Sequence, residues 1–348
     1  MENKFAIKPM IEASILTSIF IVLTLVSNMV GVGFLGYYDF FVPIFFTLVF
    51  IRSGSKYGFL SIISSTVIIF IILGNPITSL MILQGAILGM VNGYLILRFK
   101  SIGDELILIS ICSLLVLFIF DFILRTFTNI SLVSSFGEFS KDFSQIIDNA
   151  IKTLSGNNKA IEVLVSYKKL IGSNMMKQSF YFSFALMSLG SGFIIYFLSL
   201  IVLKKFKIEV PNNQCKIRLI GSFKKNIRFI FASKKVFVFM IIYVLIAEII
   251  KILKFESSIE YVNSAIFSLE YLFTIFTFKD AMIIMENKMI AESGSIKPVR
   301  RYRILVIIML LFNVKLMYIA VIVNYIINDR NGKYRECFES ALKNNIMF

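Results

Sequence analysis

The sequence predicts an all-α, polytopic membrane helix bundle, and three observations carry that expectation. The 348 residues are 57% hydrophobic and 16% charged, with a mean hydropathy of +0.83; a soluble domain is about 45–50% apolar and about 25% charged. Much of any folded chain stays exposed, so a chain this apolar finds its solvent in lipid. The apolar residues fall in runs of the length a bilayer demands, and most Lys and Arg residues fall between those runs.

A hydrocarbon core of about 30 Å takes about 20 apolar residues per helix. Nine segments meet that length, at approximately 9–30, 34–51, 57–74, 76–97, 105–126, 178–203, 236–254, 261–283 and 304–327. The first follows Lys4 and Lys8 without a small-residue cleavage site, so it reads as a retained helix. With the N-terminus cytoplasmic, the cytoplasmic segments hold 21 of the 36 Lys and Arg, and the first two outside loops, around Gly33 and Asn75, hold none. That asymmetry orients a multi-pass protein of the cell membrane. Nine spans then put the C-terminus outside.

Two regions do not span. In the outside segment 127–176, Phe143, Ile146, Ile147, Ala150, Ile151 and Leu154 recur on one helix face. After the Gly156-Asn157-Asn158 turn, Ile161, Leu164 and Val165 begin another. Two amphipathic helices are expected there, as a surface-lying hairpin or as a lid over the bundle mouth. The segment 204–235 carries ten Lys and Arg, with Glu209 its only acid. It is expected to lie along anionic membrane lipid, each basic side chain contributing about 1 kcal/mol, or to dock a partner protein. The three units are therefore a 1–203 bundle, a 204–235 basic cytoplasmic connector and a 236–348 three-helix extension with a short tail.

Several chemistries are excluded. No histidine is present, which removes imidazole metal sites and His-dependent triads. Cys112, Cys215 and Cys337 lack metal-ligand spacing. The string Gly31-Val32-Gly33-Phe34-Leu35-Gly36 follows an apolar helix rather than a strand, so it reads as a flexible loop and not as a dinucleotide fingerprint. No Walker A sequence or nucleophile elbow occurs. The net charge of +15 is distributed as inter-span loops rather than as one basic face, which argues against nucleic acid. A non-enzymatic protein without catalytic residues, metal or cofactor is expected.

In the fourth span, Gly85, Gly89 and Gly93 form a small-residue stripe that admits another helix backbone. Asn75 and Pro76 suit the start of that span as N-cap and first-turn proline. Charges inside spans are the sharpest signal, because a lone one costs about 2.5–3.5 kcal/mol on insertion scales. Asp121 and Arg125 lie four apart and can pair on one face. Glu270 and Lys315 lie midway along consecutive antiparallel spans and are predicted to form an ion pair. Paired charges serve as bundle glue or as a site. In the second case Arg125, Asp121, Gln84 and Asn75 would line an outer pocket for a small anionic or zwitterionic solute, Arg gripping carboxylate or phosphate.

The N-terminal half also resembles a known group. Ile11-Glu12-Ala13-Ser14-Ile15-Leu16 opening the first span, Pro43 in the second, the Arg52-x-Gly54-x-x-x-Gly58 turn and the Gly85/Gly89/Gly93 helix are similar to YybS-like bacterial integral membrane proteins. That uncharacterised family is itself similar to the S components of energy-coupling-factor transporters. The resemblance covers roughly residues 5 to 203. It implies a six-helix bundle with the N-terminus inside, an outward-facing pocket, and separate membrane and ATPase subunits as partners. The small-residue pattern of the first span, Ala13 with Thr17 or Ser14 with Ser18, departs from the alanine pair through which S components dock on their membrane partner. The three later spans exceed such a bundle. Solute binding or uptake is the expected function, with a membrane scaffold or regulatory protein, docking partners through 204–235, as the alternative.

Overall fold

The computed structural model describes residues 3–31, 36–98, 101–129, 131–153, 158–171, 174–208, 210, 216, 230–253, 255, 257, 259–295, 297–312 and 314–328. The glycine loop at 32–35, the Gly156-Asn157 turn, Glu209, Cys215, most of the basic connector and the tail with Cys337 lie outside the described residues. So do Leu154 and the side chain of Phe143. Among the described residues every regular element is helical. Among the described residues, five helices are long and apolar enough to cross a membrane: Ile7–Met29, Tyr38–Leu73, Pro76–Arg98, Ile102–Thr128 and Lys177–Lys205.

Helix α1 (Asn3–Met29) leads through a π-helical turn (Tyr37–Phe41) into α2 (Val42–Leu73). Helix α2 is two arms rather than one rod, because Gly54 sits at φ 78°, ψ 175°. A Cβ on Gly58 would lie 3.6 Å from Phe50 Cα, whereas residues eight apart on a straight helix stand about 12 Å apart. The chain therefore folds back at Gly54, and Phe46 of one arm packs with Ile62 of the other and with Phe20 of α1. Only glycine adopts this φ without strain. The two arms correspond to the second and third expected spans.

Helices α3 (Pro76–Arg98) and α4 (Ile102–Thr128) follow. Then come the amphipathic pair α5 (Leu132–Thr153) and α6 (Asn158–Ile171), and α7 (Asn174–Lys205). Leu95 and Ile96 of α3, Ile109 of α4, and Tyr196 and Leu200 of α7 share one core. The expected apolar face of α5 centres on Ile147, 4% exposed, while Ile146 points outward. Lys168 of α6 pairs with Asp148 of α5 at 2.6 Å.

Helices α8 (Lys234–Ile252) and α9 (Glu260–Ser293) run antiparallel. The expected ninth span at 304–327 is corrected. It comprises the end of α10 (Lys297–Phe312) and most of α11 (Val314–Asn328), at 16 and 15 residues each only about 24 Å long, short of a bilayer core. The two fold back on one another. Lys315 meets Glu248 near the end of α8, Tyr318 meets Thr277 in the middle of α9, and Tyr325 stacks against Phe237 at the start of α8, ring centroids 4.8 Å apart. Asn324 lies beside Tyr302, although on a continuous helix they would be roughly 33 Å apart. The end of α11 thus returns to the bundle end where α8 begins, not to the opposite one. The physical reason lies in Lys315: in a straight span it would sit mid-bilayer, and at a hairpin tip it reaches a carboxylate.

The C-terminal helices are not a detached unit. Ile107 of α4 and Ala185 of α7 belong to the same core as Phe237, Phe273, Phe276, Val321 and Tyr325.

Candidate functional site

Of the outer polar residues singled out by sequence, Asn75 and Asp121 are occupied by structural work. Asn75 Oδ1 accepts the Ile77 and Thr78 backbone N–H groups at 3.0 and 3.4 Å, capping α3. Gln84 is half-buried on α3. Asp121, 4% exposed, accepts the Leu132 and Val133 N–H groups at 2.8 and 3.3 Å, and the Ser131 and Tyr261 hydroxyls at 2.8 and 3.0 Å. A carboxylate from α4 therefore caps α5, where it satisfies orphan donors and the helix dipole together. The expected Asp121–Arg125 pairing does not form, since that capping uses both carboxylate oxygens; the Arg125 guanidinium lies exposed over the Tyr261 ring, 5.9 Å from its centroid. Among the described residues no hydrogen bond or ion pair joins Asn75 or Gln84 to Asp121 or Arg125.

The glycine stripe sets the approach of α3 to α2. A Cβ on Gly89 would stand 2.3 Å from Pro43 O, one on Gly85 2.8 Å from Tyr38 O, and one on Gly93 2.8 Å from the Phe50 ring. That close approach lets Asn92, fully buried, donate to Thr47 Oγ1 at 3.1 Å and Ser199 Oγ at 2.9 Å, tying α2, α3 and α7 together.

The expected Glu270–Lys315 pair is corrected to a four-residue network. Lys251 of α8 donates to Glu270 Oε1 of α9 at 2.6 Å and lies 3.9 Å from Glu248 Oε1. Lys315 of α11 reaches Glu248 at 3.0 Å. Lys251 occurs near the end of its helix, within the expected 236–254 span, and reaches back to the buried carboxylate. Its ammonium also sits 5.2 Å from the Phe267 ring centroid and 5.3 Å from that of Tyr271, a favourable cation–π position. Glu270 Oε2 is buried and has no hydrogen-bond partner among the described residues. A broken hairpin whose tip carries charge to a buried acid is the geometry by which membrane proteins build polar sites at depth. This network is the candidate site.

A second buried charge cluster at the opposite bundle end lies outside anything the sequence pointed to. Lys216 of the connector, 2% exposed, meets Glu105 at 2.5 Å and Ile96 O at 3.2 Å, and Tyr196 also donates to Glu105. The segment 230–233 is clamped between α4 and α9. Ser233 N donates to Asp104 at 2.7 Å, Ala232 N to Asp280 at 2.8 Å and Lys279 to Ile230 O at 2.9 Å. A Cβ on Gly103 would lie 2.1 Å from Phe231 O, so only glycine admits this strand of backbone. At these residues the connector is part of the core rather than a lipid-lying strap. Its one sequence signal was Asp104 and Glu105 in the first turn of α4, which dipole compensation also accounts for.

A family model described as a predicted membrane protein (DUF2232) matches residues 16–324. No curated protein and no solved structure matches the chain.

Proposed function

The chain belongs to the DUF2232 family of predicted membrane proteins, and from that premise we propose that it is a non-enzymatic small-solute binding or uptake protein whose working groups are Glu248, Lys251, Glu270 and Lys315. The observation that carries this reading is the α10–α11 hairpin, which stops short of a span and delivers Lys315 to Glu248 beside the buried, half-satisfied Glu270. Intramembrane ionisable residues are expensive and face solute or ion pathways by default, and broken helices are how such pathways expose polar groups. A mixed set of two carboxylates and two ammonium groups suits a small zwitterionic or anionic solute, which exchanges partners with the internal pairs.

The order of six apolar segments, α1, the two arms of α2, α3, α4 and α7, with the α5–α6 pair between the last two, is what favours the likeness to transporter S components. Energy-coupling membrane and ATPase subunits are the partners that likeness proposes. A second reading, a scaffold docking proteins through the basic 204–235 segment, draws support from its exposed Lys204, Lys205, Lys207, Lys234 and Lys235.

Native mass spectrometry of the full chain purified in nanodiscs separates the two. Uptake predicts a co-purifying small molecule that is lost on Lys251→Met. Soluble protein partners alone, with no small molecule in the wild type, would sink the uptake reading.

A further inference from the structure

We propose that Glu248 and Glu270 share one exchangeable proton. Its use as a coupling ion rests on the uptake reading above; the proton site itself does not.

The argument begins with the oxygens. Glu270 Oε1 accepts Lys251 at 2.6 Å, and Oε2 has no donor among the described residues although the side chain is only 5% exposed. The Glu248 carboxyl is its acidic neighbour: the Lys251 ammonium that holds Glu270 Oε1 at 2.6 Å also lies 3.9 Å from Glu248 Oε1. Ionised carboxylates are acceptors only, so neither can satisfy the other unless one carries a proton. Two like charges side by side, away from water, also resist ionising together. One proton on the pair answers both problems: it supplies the missing donor and removes the repulsion.

The surrounding charges tolerate that change. Among the described residues, Lys251, Lys315, Tyr243, Tyr271 and Tyr318 are the titratable groups facing the pair, from α8, α11 and α9. When the pair loses a negative charge, Lys251 keeps its seat over Phe267 and Tyr271, which stabilises an ammonium without a full counter-charge. Lys315, with its side chain 65% exposed, keeps access to the surface. The pair is also asymmetric in access. The Glu248 side chain is 33% exposed and that of Glu270 5%, so a proton enters at Glu248 and passes inward to Glu270. The step is binding alone: carboxylate plus proton gives carboxylic acid, and no electron moves.

Infrared difference spectra of the full chain in nanodiscs, recorded across a pH titration, test the site. The wild type is expected to show a titrating carboxylic-acid carbonyl band. That band disappears in Glu270→Gln and equally in Glu248→Gln, because a lone remaining carboxyl is held ionised by its lysine. It shifts in Glu270→Asp, which keeps a carboxyl and guards against loss by misfolding, and persists in Glu260→Gln at the exposed start of α9. No such band in the wild type, or one that survives both Gln variants, overturns the proposal. Solute binding measured on the same nanodiscs keeps the two readings apart: the band without solute supports the proton site and sinks uptake, and solute without the band overturns the proton site alone.

Discussion

Lys216 of the connector and Glu105 of α4 form an ion pair at 2.5 Å with side chains 2% and 0% exposed. The pair is joined by a tyrosine hydroxyl and a backbone carbonyl, which meets the condition under which a buried charge pair is tolerated. A basic segment of this kind normally stays at the lipid surface. Here one of its lysines is a structural plug.

Removing one partner leaves the other charge buried. Lys216→Met and Glu105→Gln should each lower stability by about 3–5 kcal/mol, and the double variant by less than the sum. Thermal unfolding of the detergent-purified protein measures both; additive losses would mean that the pair is not coupled.

The same logic ranks the two lysines of the candidate site. Lys251→Met strands Glu270, which is 4% exposed, and should cost about 3 kcal/mol or more. Lys315→Met removes an exposed partner and should cost about 1 kcal/mol or less. Melting temperatures in that order are expected, and the reverse order would assign Glu270 to Lys315 after all.

Gly89→Ala pushes a methyl group into Pro43 O, 2.3 Å from the new atom, so α3 must move away from α2. A loss of about 1–3 kcal/mol follows from overpacking. Gly190→Ala, on α7 with nothing within 4 Å, should be neutral or stabilising. Equal melting temperatures for the two variants would remove the close approach as an explanation of the stripe.

Asp121→Ala deletes the cap of α5. Hydrogen exchange should accelerate through 132–153, with a stability loss of about 0.5–2 kcal/mol, while Arg125→Ala leaves exchange there unchanged. If Arg125→Ala loosens α5 equally, the guanidinium and not the carboxylate anchors the helix pair.

The α10–α11 hairpin predicts that cysteines introduced at Lys297 and Asn328, in an otherwise cysteine-free chain, label from the same side of the membrane. Labelling from opposite sides would restore a continuous final span.

The membrane class, most helix positions and the amphipathic pair were legible in the sequence because each depends on local periodicity and length. Gly89 was legible as packing, since four-residue spacing is a property of one helix. Charge partners were not. Equal depth on ideal antiparallel rods pairs Glu270 with Lys315, and that geometry fails once the last span folds back at its middle. Lys251 carries no such signal in the sequence, because a helix-end lysine normally points to water.

By itself, then, the sequence determined that this chain is a bundle of membrane helices, since apolar runs of bilayer length leave few other structures in which the backbone can satisfy its own hydrogen bonds. Only the tertiary structure decided which helices fold back and which charges meet. A buried ion takes its partner from whichever element passes within about 4 Å of it, and between Glu105 and Lys216 that proximity bridges 111 positions of sequence.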